Sequence, residues 1–230
     1  MAAEANLQDV LEAAARLQEL VPDAVLVGGT AAALHARHRL SLDDDHVIGD
    51  LEKRFDDVLG ALEETDGWVT ARVQRPVLIL GRLDGVETGI RHLNRRVPLE
   101  VEKVAVGDRF LRVPTLEEIT RIKAWLCLIR NAARDYLDFA ALADRLGTDR
   151  AACVGVGMDE YYADQQGPGG RRIATQVARQ LADPRPDDLS EIDLSAYRRL
   201  EHRWQAWAAV ADTCKRVAVR MLDRTIEEPT

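Results

Sequence analysis

Cysteine is scarce in this chain: Cys127, Cys153 and Cys214 are the whole supply, far apart and with no C-x-x-C pair. That excludes a disulfide framework and a zinc knuckle, and it predicts reduced, buried thiols. Long apolar runs are missing as well. No stretch approaches the ~18 residues of a membrane span. The opening "MAAEANLQDVLEAAARLQEL" sets acids and polar residues on a helical period, where a signal peptide needs a basic start and an unbroken apolar segment. The expectation is a soluble, cytoplasmic protein with no membrane partner. Net positive charge is also lacking. A formal charge of −8 disfavours indiscriminate binding of nucleic acid, although it leaves room for a local basic groove.

What is present is a globular composition. The 230 residues are 47% hydrophobic and 30% charged, enough to bury a sizeable core in one large domain or two small ones. Arginines gather at Arg37/Arg39, Arg91/Arg95/Arg96, Arg130/Arg134 and Arg171/Arg172. Converging in space they would track a phosphate backbone; separately they are a solvated, salt-bridged surface.

Periodicity predicts an amphipathic helix over 6–21 and a short buried strand in "DAVLVGG" (23–29), with Thr30 capping the helix "AAALHA". "DDDHVIG" reads as a second strand before a helix over 50–64. Three β-rich runs follow at about 67–74, 76–83 and 86–93, divided by Pro76 and by the Asp84-Gly85 turn signal, and "RFLRV" (109–113) suggests another strand. From Thr115 the pattern turns helical. "TLEE" is a capping box before "ITRIKAWLCLI", and "ARDYLDFAALADRL" is a helix closed by Gly147. "QQGPGG" (165–170) and "ADPRPDD" (182–188) are loops, and 196–224 reads as one long helix with Trp204 and Trp207 on a single face. That stripe is read as core, or alternatively as a partner or dimer surface. The predicted class is α/β (α+β): a small mixed sheet over 1–113, then a helical bundle over 114–230.

The acidic run carries the chemistry. In a strand, Asp43 and Asp45 share a face while Asp44 points the other way, and two carboxylates on one face persist comfortably only beside a cation. Hard oxygen ligands of this kind suit Mg²⁺ completed by substrate phosphates. Upstream, "GGT" (Gly28, Gly29, Thr30) at a helix N-terminus offers backbone N–H groups to an anion. Either element alone is an ordinary turn or an acidic cap; in this order they outline a nucleotide site. Lys123 shares a helix face with Ile119, Leu126 and Cys127, so it either snorkels or works. Asp135 and Asp138 on the next helix could meet it across a hairpin, unless Arg134 and Asp138 simply form an i,i+4 surface pair.

"GGTAAALHARHRLSLDDD" resembles the G-G-[ST]…H-R-x-S-x-D-x-D motif of the AbiEii/AbiGii-type nucleotidyltransferase toxins, which have a polymerase-β-like palm. "RIKAWL" is similar to that family's lysine-bearing helix and "RDYLDFAAL" to its R-D-x-x-D helix, so the resemblance covers about residues 20–146. It implies a nucleotidyltransferase palm followed by helices that bring a lysine and an acid to the active site. By position it implies phosphate contacts at Gly28, Gly29 and Thr30 and an S-x-D-x-D element at Ser41, Asp43 and Asp45 with both aspartates on metal. It implies H-R at His38 and Arg39, a nucleotide-contacting Lys123, and an acid at Asp138 or Asp135. Asp44 and His46 stand where the family more often has apolar residues; His46 is a strand-face residue or a third contact near the metal. For the third carboxylate Glu87 is the candidate and Glu100 the runner-up. The implied reaction is transfer of a nucleoside monophosphate from an NTP with Mg²⁺ (or Mn²⁺), releasing pyrophosphate. The implied acceptor is RNA, notably the 3′ end of tRNA, and the implied partner is a cognate antitoxin. A small-molecule (antibiotic-type) or protein acceptor, or a degenerate partner-binding protein, are the rival expectations.

Overall fold

The computed structural model describes residues 7–166 and 170–227. The chain divides into two compact units, one made of residues 1–31 and 41–115 and the other of 32–40 and 116–230. The main division lies at 115/116, where 113/114 was expected, and the short segment 32–40 goes with the helices instead of the sheet.

The first unit begins with α1 (Leu7–Leu20), β1 (Val25–Leu26) and the start of α2 (Gly28–Ala36). After 41 come β2 (Asp44–Ile48), α3 (Leu51–Glu63), β3 (Trp68–Gln74), β4 (Leu78–Leu83), β5 (Val86–His92), β6 (Val101–Val106) and β7 (Arg109–Pro114). Five strands pair in the order β1-β2-β5-β4-β3, and β6 and β7 make a separate two-stranded sheet. The sheet is mixed, because β2 runs parallel to β5 while its other pairs are antiparallel. Asp84 and Gly85 both take positive φ (52° and 85°) between Leu83 and Val86, which face each other in register. That is the two-residue turn an Asp-Gly pair favours, since its backbone twist matches the strands. Leu17 of α1, five apolar residues of α3 and Ile48, Ile79, Leu83 and Ile90 of the sheet form this unit's core.

The second unit holds the end of α2, then α4 (Leu116–Ile129), α5 (Ala133–Leu146), α6 (Thr148–Val156), α7 (Met158–Tyr161), α8 (Ile173–Ala182) and α9 (Trp207–Glu227). α5 lies at its centre, with ten of its residues from Ala133 to Ala143 buried, and Gly147 (φ 89°) ends it. Among the described residues no helix is long and apolar enough to cross a membrane.

Three expectations need correction. The strand over 23–29 shrinks to Val25–Leu26, because α2 already starts at Gly28. Thr30 is therefore inside the helix, and its hydroxyl donates to the Asp43 carbonyl at 2.6 Å instead of capping. The long helix over 196–224 does not form: 3₁₀ turns at Leu194–Ala196 and His202–Gln205 precede α9. Trp204 and Trp207 thus lie on different elements, Trp204 buried in a turn and Trp207 opening α9 with its ring edge-on to Tyr136 at 5.8 Å. Both still belong to the core. Of the loop expected at 165–170, residues 167–169 lie outside the described residues.

Candidate functional site

In the first unit, Asp43 precedes β2 and is exposed, Asp44 opens the strand with its side chain buried, and Asp45 is half-buried on the opposite face. Register places Asp45 beside Gly89 of β5. A Cβ built on Gly89 would meet an Asp45 carboxylate oxygen at 2.8 Å, and one built on Gly28 would meet the other at 3.2 Å. Gly28 also has φ 72°, a conformation that glycine alone adopts cheaply. The Asp45 carboxylate thus rests between two backbones with no side chain to crowd it, at the first residue of α2. The first N–H groups of a helix have no intrahelical partner, so Gly28, Gly29 and Thr30 begin a segment suited to an anion. Arg91 reaches Asp45 from β5 at 3.7 Å, a contact that no local pattern beyond the arginine cluster announces.

Asp44 faces the interior. Burial pushes its carboxyl well above the usual carboxylate range; the Thr88 hydroxyl, 3.2 Å away, opposes the shift and Asp45's charge adds to it. His46 is fully buried on the same face, and burial pulls its imidazole down to about 3. Its Nδ1 lies 3.2 Å from Asp44 Oδ1, but neither atom has hydrogen-bonding geometry. We read this as a neutral imidazole beside a neutral acid, because two desolvated charges would need the hydrogen bonds that are missing. His46 is therefore a core residue on the face away from Asp45.

The remaining carboxylates are less well placed. Glu87, two residues before Gly89 on the same face of β5, is exposed and held by Arg82 at 3.0 Å. Glu100 precedes β6, outside the five-stranded sheet. Among the described residues no group of three His, Cys, Asp or Glu side chains stands ready to hold a metal. Asp43 and Asp45 are accessible hard-oxygen donors with open directions. That donor chemistry fits a Mg²⁺ ion that keeps waters and completes its shell from substrate phosphates. Ser41 is buried just before them.

The second unit collects the other residues singled out in the sequence. Asp138 of α5 is fully buried and accepts four contacts: His38 Nε2 at 2.8 Å and Arg39 Nε at 2.8 Å on Oδ1, with Arg39's terminal nitrogen at 3.1 Å and Lys123 Nζ at 2.8 Å on Oδ2. Lys123 also donates to Asp135 Oδ1 at 3.0 Å. Asp138 and Asp135 are thus met by Arg39 and Lys123, with Arg130 3.9 Å from Asp135, and such pairing is how buried charge is tolerated. Burial opposes the charge on Asp138, yet Lys123, Arg39 and the His38 hydrogen bond hold its carboxyl well below the usual range. Burial likewise opposes the Lys123 ammonium, and Asp138 and Asp135 overcome it, raising its pKa. The i,i+4 alternative fails: Arg134 is exposed, and Asp138 turns inward to these cations.

No family profile matches the chain. It is 34% identical over 245 aligned residues to the heme uptake protein MmpL11 of Mycobacterium tuberculosis, covering 95% of this chain and 23% of that protein. It is 38% identical over 133 residues to the mycolic acid-containing lipids exporter MmpL11 of Mycolicibacterium smegmatis, covering 57% of this chain and 13% of that one. The chain thus spans about a quarter or less of the length of these relatives. Two solved structures align over nearly its whole length: JHP933 from Helicobacter pylori (TM-score 0.52, 15% identity, 96% and 94% of the two chains) and a candidate nucleotidyltransferase from H. pylori (TM-score 0.55, 16% identity, 97% of each). The mixed sheet and helices described above are a fold shared with these two proteins.

Proposed function

We propose that this chain is a metal-dependent nucleotidyltransferase that moves a nucleoside monophosphate from an NTP to RNA, with the 3′ end of tRNA as the leading acceptor. The observation that carries the reading is the Asp45 carboxylate cradled between Gly28 and Gly89 at the first residue of α2. It joins a metal-type carboxylate to an anion-type backbone in one place, on a fold shared with nucleotidyltransferase-like proteins. Asp43 and Asp45 would hold Mg²⁺ or Mn²⁺, which would supply neutralisation of charge on the triphosphate. The N–H groups at Gly28, Gly29 and Thr30 receive phosphate oxygens, and Arg91 offsets the remaining negative charge. The acceptor hydroxyl oxygen attacks the α-phosphorus and gives up its proton to solvent, the bond from that phosphorus to the oxygen bridging to the β-phosphorus breaks, and its electron pair leaves with pyrophosphate. Lys123, Asp135 and Asp138 take a positioning role, fixing His38 and Arg39. In a toxin–antitoxin setting the chain is the toxin, and a cognate antitoxin protein is its partner.

The test is incubation with Mg²⁺, each of four α-labelled NTPs in turn, and total tRNA. Label entering RNA, and absent with Asp45→Asn, supports the reading. NTP binding without transfer to any RNA overturns it.

A second reading has one specific observation in its favour. The relatives are a heme uptake protein and a lipids exporter, and this chain matches a minor part of each. On that reading it is a nucleotide-binding module serving a transport protein. Mg²⁺-dependent NTP binding with no transfer distinguishes it.

A further inference from the structure

In the second unit, two basic segments far apart in sequence are sewn together by backbone hydrogen bonds. Leu40 N–H donates to the Arg198 carbonyl and Glu201 N–H to the His38 carbonyl, both at 2.8 Å. This sets "ARHRL" (36–40) against "YRRLEHR" (197–203). Arg37, Arg198 and Arg199 are exposed along the pairing, and Arg39 lies over the Tyr197 ring at 5.5 Å. Arg134 joins them from α5, one turn before the Asp138 that binds His38 and Arg39, and its charge reaches Tyr197.

Two features of this ridge bear on its role. Arg37, Arg134, Arg198 and Arg199 have no carboxylate partner among the described residues, whereas Arg203 nearby is paired with Asp144 and Glu201. Four unneutralised guanidiniums on one ridge repel one another in a protein of net charge −8. In addition, Arg37 (φ 55°) and Arg199 (φ 52°) are two of the four non-glycine residues with positive φ among the described residues. Glycine would hold either position with less strain, so backbone preference does not account for an arginine there.

We propose that Arg37, Arg134, Arg198 and Arg199 form a binding ridge for the phosphate backbone of RNA. The ridge depends on the transferase reading only for what the bound RNA is used for.

The experiment measures binding of a short fluorescein-labelled RNA hairpin with a single-stranded 3′ end, by anisotropy over a salt series, with no nucleotide or metal. The full chain is compared with Arg37→Gly/Arg199→Gly, with Arg134→Gln/Arg198→Gln and with the quadruple variant. Glycine suits the left-handed positions, so melting temperatures are expected at or above the parent's. Should the glycine pair unfold, the glutamine pair at ordinary surface positions decides. Binding at least 10-fold weaker in the quadruple variant is expected, with a log K–log salt slope shallower by about 0.7–0.9 for each arginine that neutralises a phosphate. Unchanged affinity and slope overturn the proposal. So does tight parent binding to phosphatidylserine vesicles without RNA binding, which would make the ridge a membrane contact. If the parent chain binds the hairpin but transfers no label in the α-labelled NTP assay, the transferase reading falls and the ridge stands.

Discussion

At the scale of single residues, Asp45 and Lys123 separate two kinds of importance. Asp45 is half-exposed with one loose partner, so it is available for a ligand; Lys123 is 3% exposed with both contacts on carboxylates, so it is committed to the fold. Lys123→Met leaves Asp135 and Asp138 buried with less compensation and is expected to cost about 3–5 kcal/mol in urea unfolding. An unchanged midpoint would return Lys123 to a purely catalytic role. Gly89→Ala pushes a methyl to 2.8 Å from the Asp45 oxygen and 3.0 Å from Leu80. It should weaken Mg²⁺-dependent NTP binding on the order of 10-fold while costing about 1–3 kcal/mol of stability, read by titration and by melting. The Asp138–Lys123 pair also fixes a pH response. Asp138's folded pKa is depressed, so its contribution is complete above the unfolded value of about 3.9 and is lost as pH falls towards the folded one. Lys123's is raised, so its contribution is complete below about 10.4 and is lost as pH rises through the folded value. Between those limits this network gives a flat stability profile. Asp138→Asn should lower the plateau and soften the acid limb of a pH–melting series.

At the scale of elements, α5 ends at Gly147, whose φ 89° and ψ 141° suit glycine and penalise any Cβ. Gly147→Ala should therefore destabilise the protein by about 1–3 kcal/mol, measured by urea unfolding, without touching nucleotide binding. Local chemistry of this kind was readable in advance. Asp84-Gly85 announced its hairpin, Gly147 its helix end, and the Lys123 spacing a meeting with Asp135 and Asp138. What stayed hidden depended on distant partners. Tyr197, Leu200, Trp204 and Trp207 have helical spacing, yet residues 198–201 give their backbone groups to 38–40, and a left-handed Arg199 breaks any helix there. Nothing within that window names the competing segment. β6 was missed for a similar reason: its burial does not alternate, and what holds it is pairing to β7 along its whole length. In the acidic run, alternation correctly separates Asp44 from Asp45, but Asp43 stands before the strand and so outside the argument that would have paired it.

At the scale of the whole molecule, the charge of −8 coexists with local clusters of either sign, so its ligands should be told apart by conditions. An NTP held through a cation should raise the melting temperature only when nucleotide and Mg²⁺ are both present. Saturation at 100 times Kd corresponds to about 2.7 kcal/mol, and Asp45→Asn should abolish the shift in a thermal scan. A rise with nucleotide alone would show that the carboxylates are not the metal's seat.

The carboxylate of Asp138 has a consequence for the order of folding. Lys123 is its neighbour within a local helix pair, but His38 and Arg39 come from 100 and 99 residues away along the chain. Local contacts form first and long loops close later, because ordering distant segments costs entropy before it is rewarded. A folding chain would thus pass through a state whose helices are packed around an acid with two of its three donor residues still absent. Such a state is poised to reject any segment that cannot supply an imidazole and a guanidinium in adjacent positions. In pulsed hydrogen exchange, the amides of Leu40 and Glu201 should gain protection after those of α4 and α5. The buried acid would then act as a late checkpoint on the correct return of residues 38–40.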